Sequence, residues 1–191
     1  MVMGANEEDK NLIIWIMGPT SSGKTTIAER LLLAMKRAGR RAIHYDGDEV
    51  RDFFGPSHGF ESKDRLRVVK TITHLANKAY DSGGDVIVSA LTANQDAREY
   101  IAEHLKGLIL VYLHCSIDEC AKRDPKGLYR KALNGEMDTL IGVSSEYCPI
   151  DNADIEINTE VNSIGWCVNE MMARIESERY RKPAGETSIW F

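Results

Sequence analysis

With 191 residues, 43% hydrophobic and 28% charged, the chain can bury one core and is short for two. Its net charge of −5 argues against broad electrostatic binding of nucleic acid, and its longest apolar run, residues 12–17, is too short to span a bilayer. Residues 1–10 are polar and acidic without the apolar core of a secretory signal, and Cys115, Cys120, Cys148 and Cys167 have neither CxxC spacing nor a paired His, so a cytoplasmic protein with buried or free thiols is expected.

Residues 12–17 read as a buried first strand. The strand runs into Gly18-Pro19-Thr20-Ser21-Ser22-Gly23-Lys24-Thr25, the pattern of a phosphate-binding P-loop. Glycines are needed at both ends because backbone N–H groups must fold inward around phosphate oxygens, an approach that a Cβ would obstruct. Lys24 supplies a mobile positive charge for the β- and γ-phosphates, Thr25 a hydroxyl for Mg²⁺, and the following helix its N-terminal dipole. An accidental Gly-rich turn would match the four specified positions in roughly 1% of such chains or fewer.

The helix spans 24–38, with Ile27, Leu31, Ala34 and Met35 on one face, and Gly39 stops it. A short second strand, 42–45, ends at Asp46-Gly47-Asp48, two carboxylates at the strand end where open α/β sheets bind ligands. Residues 55–59 form a loop with Phe60 at its exit. A long helix then starts at Ser62 or Asp64 and runs to residue 80, carrying Leu66, Val69, Ile72, Leu75, Ala76 and Ala79 at helical spacing. The third strand is Asp85–Ser89, followed by Leu91 and Thr92, a helix at 94–105, and a continuous apolar fourth strand at 108–113.

Ile117–Arg123 reads as a short helix, and 124–131 as a charged segment broken by Pro125 and Gly127, a composition that suits a mobile lid within a region reaching residue 148. A fifth strand at 155–157 and a closing helix at 163–180 complete the order. The ends, 1–10 and 182–191, are expected to be loose, unless Ile189-Trp190-Phe191 docks on an apolar face. Strands alternating with helices imply a single α/β domain over 1–191, a three-layer fold whose five-stranded parallel sheet has helices on both faces.

A P-loop leaves open a kinase, a GTPase switch or a motor ATPase. The nearest match to a GTPase Asn-Lys-x-Asp element, Asn77-Lys78-Ala79-Tyr80-Asp81, is one residue too long and lies inside a helix, while a motor ATPase usually needs more chain. A small kinase is the class that remains. It needs a group for the acceptor hydroxyl and cations that offset transition-state charge. Asp46 and Asp48 are candidates for base and indirect Mg²⁺ ligand, Arg51 lies one helical turn past Asp48, and Arg65, Lys126 and Arg130 are further cations.

These residues resemble the adenylylsulfate kinase family, which transfers the ATP γ-phosphate to the 3′-hydroxyl of adenosine 5′-phosphosulfate. The similarity runs from Ile14 to Thr159. It is carried by the P-loop GPTSSGKTT, Asp46-Gly47-Asp48-x-x-Arg51, Gly59-Phe60 with Asp64-Arg65, and the long block Arg123-Asp124-Pro125-Lys126-Gly127-Leu128-Tyr129 reaching Gly135-Glu136. The resemblance implies a P-loop kinase fold that uses ATP and Mg²⁺. The donor would lie on Gly18, Pro19, Thr20, Ser21, Ser22, Gly23, Lys24, Thr25, Thr26 and Arg123. Lys24, Asp46 and Asp48 would be catalytic, and Thr25 and Asp48 would serve the metal. Arg51 and Arg65 would take the acceptor's phosphate and sulfate, Phe60 its base, and Asp48, Leu91, Thr92, Lys126, Gly127, Leu128 and Leu140 would complete the acceptor site. A small-molecule nucleotide is thus the expected partner, and the family is often homodimeric.

Departures from the family pattern cluster on the acceptor side. Val68 stands where the family has Asn, Thr92-Ala93-Asn94-Gln95 replaces Ser-Pro-Tyr-Arg, Leu140-Ile141-Gly142-Val143 replaces Phe-Thr-Gly-Ile, and Glu146-Tyr147-Cys148-Pro149 replaces Tyr-Glu-x-Pro. Thr92 aligns best with the family serine, and Ser89 less well. A lost aromatic stack is worth roughly 1–3 kcal/mol per base. The runner-up acceptor is therefore cytidine 5′-diphosphoramidate, whose smaller base and neutral amide need fewer rings and one arginine fewer. A non-catalytic nucleotide-binding protein is a third reading, disfavoured because Lys24, Thr25, Asp46 and Asp48 are all present.

Overall fold

All five side chains of strand β1 (Ile13–Met17) are fully buried, because the strand lies mid-sheet with helices on both faces. In this computed structural model residues 11–55 and 58–181 are described; the expected loose ends, 1–10 and 182–191, and positions 56–57 of the loop lie outside the described residues. The other strands are β2 (Ala42–Asp46), β3 (Asp85–Ser89), β4 (Leu108–His114) and β5 (Ile155–Asn158). They form one parallel sheet in the order β2-β3-β1-β4-β5, with Trp15 of β1 level with Val88 and Leu110 on its neighbours.

Alternation along β1 sends Ile14 and Ile16 to one core and Ile13, Trp15 and Met17 to the other. The first core is closed by Ile27, Leu31 and Met35 of α1 (Lys24–Arg37) and by Met171 and Ile175 of α7 (Ile164–Arg181). The second is closed by Val69, Ile72 and Ala76 of α3 (Ser62–Asp81) with Ala97 and Ile101 of α4 (Gln95–His104). Three layers result, as the alternating pattern predicts.

Two further short helices matter for the site. Asp46-Gly47-Asp48, read from sequence as the end of the second strand, is the capped start of α2 (Gly47–Phe53): Asp46 accepts a 2.8 Å hydrogen bond from Asp48 N. After α5 (Ile117–Arg123), the segment read as a broken lid contains α6 (Leu128–Leu133). Gly127 in the left-handed region opens α6, and the Asp124 carboxylate accepts from Tyr129 N and Arg130 N at 3.1 and 3.0 Å. Pro125 and Gly127 thus bound a helix rather than prevent one. The carboxyl ends of all five strands face the same side, and β1 lies where strand order reverses, which puts the P-loop at the ligand-binding crevice of the sheet.

Candidate active site

The P-loop joins β1 to α1. A Cβ on Gly18 would lie 2.7 Å from Leu113 O and 2.9 Å from Ser22 Oγ, and Gly23 has φ +96, so glycine is required at both ends of the loop. Inward-facing amides leave carbonyls pointing away from the phosphate cradle, and several of these have donors. Lys24 Nζ donates to Gly18 O (3.0 Å) and Pro19 O (2.7 Å), Tyr129 OH to Thr20 O (3.0 Å), and Thr159 Oγ1 to Ser22 O (2.8 Å). Burial lowers the Lys24 pKa to about 8, against the opposing pull of Asp48 and Asp46. A polyanion would favour the charged form that burial opposes.

A cleft of about 1160 Å³ opens over this loop, above the roughly 300–1,000 Å³ of pockets for one small ligand. One group of lining residues is tied to the end of β5: Arg123 Nη2 donates to Thr159 O (2.7 Å), and Thr159, Glu160, Asn162 and Ile164 line the cleft beside it. A second group gathers around α2, α3 and the segment from Pro125 to Leu140. Of the residues expected from sequence, Thr20, Ser21, Ser22, Gly23, Lys24, Thr25, Thr26, Arg123, Asp46, Asp48, Arg51, Phe60, Arg65, Leu91, Thr92, Lys126, Leu128 and Leu140 line this one cleft. Gly18, Pro19 and Gly127 do not: the carbonyls of the first two accept from Lys24 Nζ, and Gly127 shapes the start of α6.

The two carboxylates of the Asp46-Gly47-Asp48 segment separate into different environments. Asp46, 7% exposed, accepts on Oδ2 from Thr25 Oγ1 (2.7 Å) and Ser89 Oγ (2.7 Å). Burial pushes its pKa up, but the hydrogen bonds from Ser89, Thr25 and the Asp48 amide prevail and hold it below the ordinary carboxylate value. His44 Nε2 lies 2.8 Å from Ser89 Oγ, and because Ser89 donates to Asp46, His44 is the donor of that pair. Asp48 instead meets Lys126 Nζ at 2.6 Å and Arg51 Nη1 at 2.9 Å. The carboxylate that bonds the Thr25 hydroxyl is therefore Asp46, while Asp48 meets the two cations. Among the described residues no cluster of three His, Cys, Asp or Glu could hold a metal ion. Mg²⁺ in nucleotide sites takes few protein ligands besides phosphate and water oxygens, and the hard oxygens of Thr25 and Asp46 fit it.

The cations are arranged around Phe60. Arg51 Cζ lies 4.9 Å from the centroid of the Phe60 ring, which is 41% exposed. Arg65 donates to Phe60 O (2.8 Å) and Thr139 O (2.9 Å), and burial with the nearby Arg51 draws its pKa down. The Lys126 pKa is raised by its bond to Asp48. Leu140 is buried against Cys120 and Tyr129 while lining the cleft. Thr92 has φ +42, and its hydroxyl accepts from Trp15 Nε1 at 2.9 Å. All four cysteines are free thiols.

No sequence motif singles out His44, Arg98, or the wall from Thr159 to Ile164. The last carried a usable signal, since it follows the carboxyl end of a strand beside the P-loop; His44 and Arg98 act through neighbours that no spacing rule names.

Residues 10–158 match the family model described as adenylylsulphate kinase. The chain is 34% identical over 162 residues to the adenylyl-sulfate kinase of Clostridium kluyveri, covering 84% of this chain and 81% of the relative. It is 35% identical over 152 residues to the probable adenylyl-sulfate kinase of Archaeoglobus fulgidus, covering 80% and 98%. Its fold superposes on the Mycobacterium tuberculosis APS kinase CysC, solved with AMPPNP and APS, with a TM-score of 0.80 at 26% identity over 87% of this chain and 98% of that one. With a P-loop, a doubly covered parallel sheet and a family match over most of its length, the chain belongs to the adenylylsulphate kinase family of P-loop kinases.

Proposed function

We propose that this chain transfers the γ-phosphate of ATP to the 3′-hydroxyl of adenosine 5′-phosphosulfate, in the cytoplasm. The observation that carries the reading is the cluster of Asp48, Lys126 and Arg51 beside Phe60, lining the same cleft as Lys24. The donor's phosphates lie on the P-loop, and its base lies toward Arg123, Thr159 and Asn162. The acceptor base stacks on Phe60, with Arg51 and Arg65 beside its phosphate and sulfate. Asp48 accepts the proton of the 3′-hydroxyl as that oxygen bonds to the γ-phosphorus and the bond to the β–γ bridging oxygen breaks, releasing ADP. Lys24 offsets charge on the transferring group. Mg²⁺, when bound, neutralises charge on the β- and γ-oxygens. Thr25 and Asp46 would supply the protein oxygens for it, Thr25 as ligand and Asp46 as the acceptor that orients its hydroxyl.

One observation favours a second reading. Val68 and Leu140, which stand where the family has Asn and Phe, both line the cleft, and cytidine 5′-diphosphoramidate would ask less of that wall. ADP release measured side by side with the two nucleotides separates the readings: we expect a higher kcat/KM with adenylyl sulfate. The reverse order establishes the cytidine nucleotide, and no release with either overturns both.

A further inference from the structure

Arg98 of α4 is named by no motif, yet its guanidinium joins two walls of the cleft. Nε donates to Thr92 O at 3.0 Å, Nη2 to Cys148 O at 2.6 Å, and Nη1 reaches Pro149 O at 3.4 Å. The first carbonyl belongs to the loop after β3, whose Leu91, Thr92, Ala93 and Asn94 line the cleft. The other two belong to the segment that descends from Leu140 and Ile141, which also line it.

Each loop needs an external tie. Thr92 is a β-branched residue with positive φ, a conformation that persists only where the surroundings impose it. Its hydroxyl is held from below by the buried Trp15 indole, and its carbonyl by Arg98. The opposite segment turns tightly, with Ser144 N donating to Leu140 O (2.8 Å) and Gly142 N to Ser145 O (2.7 Å), then anchors through Tyr147, buried and parallel to Tyr112. Arg98 binds just beyond Tyr147. A planar fork with several fixed donors can span both backbones at once; an ammonium at the same place reaches one.

We propose that Arg98 is a positioning residue for the acceptor: by clamping Thr92 to Cys148 and Pro149 it fixes the distance between the two walls that enclose the acceptor nucleotide. The proposal rests on the functional reading above only for what lies between the walls. Arg98 touches neither the P-loop nor the wall at Thr159, so its loss acts on one substrate.

The test uses Arg98→Ala and Arg98→Lys in the full chain, with steady-state kinetics and amide hydrogen exchange. Losing these charged hydrogen bonds raises the acceptor KM about tenfold in Arg98→Ala, while KM for MgATP stays within about twofold. Exchange rises together in peptides covering 90–94 and 146–150, and not in the P-loop. Arg98→Lys falls between the unsubstituted enzyme and Arg98→Ala, and supplies the same comparison should the alanine variant fail to fold. Parallel rises in both KM values, an unchanged acceptor KM, or unchanged exchange in either loop overturns the clamp. If the unsubstituted enzyme releases ADP with neither nucleotide, the functional reading fails, and the exchange measurement decides the clamp alone.

Discussion

The two halves of the cleft are built differently. In the half proposed for the donor, buried polar groups are tied by neighbouring side chains and an amide: the carbonyl of the fully buried Ser22 accepts from Thr159 Oγ1, and the Asp46 carboxylate accepts from Thr25, Ser89 and the Asp48 amide. In the half proposed for the acceptor, charged groups hold one another near solvent. The Asp48, Arg51 and Lys126 side chains are 43%, 29% and 58% exposed, and Phe60 stands open under Arg51. Exposed ion pairs are worth little, typically below about 1 kcal/mol, so a substrate can replace them at small cost. The half proposed for the donor is pre-organised by burial, whereas the half proposed for the acceptor is assembled from side chains whose partners a nucleotide can exchange.

That contrast predicts effects of different size and kind. Lys24→Ala removes the buried cation of the donor side, and we expect turnover to fall about 10³-fold, the scale on which one electrostatic stabiliser acts. Near-normal single-turnover rates in this variant would break the donor assignment itself. The neighbouring carboxylates divide the two halves more finely. In Asp48→Asn, kcat falls roughly 10²-fold or more with KM for MgATP little changed, as loss of a general base requires. In Asp46→Asn the larger change is in the MgATP parameters and their Mg²⁺ dependence, because Asp46 rather than Asp48 bonds the Thr25 hydroxyl. The opposite pattern in the pair would assign the metal role to Asp48.

Phe60→Ala tests the acceptor half by a smaller amount. Base stacking on an aromatic is worth roughly 1–3 kcal/mol, so the acceptor KM rises about tenfold or more with the donor parameters unmoved. An equal effect on MgATP would place Phe60 outside the acceptor site.

The legible part of this molecule was the part made of backbone periodicity and glycine. Residues 12–17 and 108–113 announce buried parallel strands because nothing polar interrupts them, and the P-loop announces itself because Gly18 and Gly23 answer to backbone geometry alone. The short helix Ile117–Arg123 was legible, whereas α2 and α6 were harder. Alpha-helical spacing needs several turns to appear, and α6 has six residues between a left-handed glycine and Asn134, stabilised by Asp124 and by burial of Tyr129 rather than by any pattern. The division of labour between Asp46 and Asp48 was not legible either. Two residues apart in sequence, they differ because β2 ends at one and α2 has already begun at the other, which sends their carboxylates to Thr25 and to Lys126.

The smallest expected effect concerns the wall that departs from the family. Leu140 is 6% exposed, packed on Cys120 and Tyr129, yet part of its surface lines the cleft. In Leu140→Phe the larger ring cannot remain wholly in that cluster, since Cys120 and Tyr129 are themselves fully buried. It turns its outer edge into the cleft and supplies an aromatic surface there. KM for adenylyl sulfate should fall a few-fold, less than the roughly 1–3 kcal/mol of a full stack because part of the ring stays on Tyr129. The cytidine nucleotide, with its smaller base, gains less. An unchanged KM for adenylyl sulfate would show that residue 140 does not lie over the base, and would leave selectivity on the acceptor side to Phe60 and to the spacing that Arg98 sets.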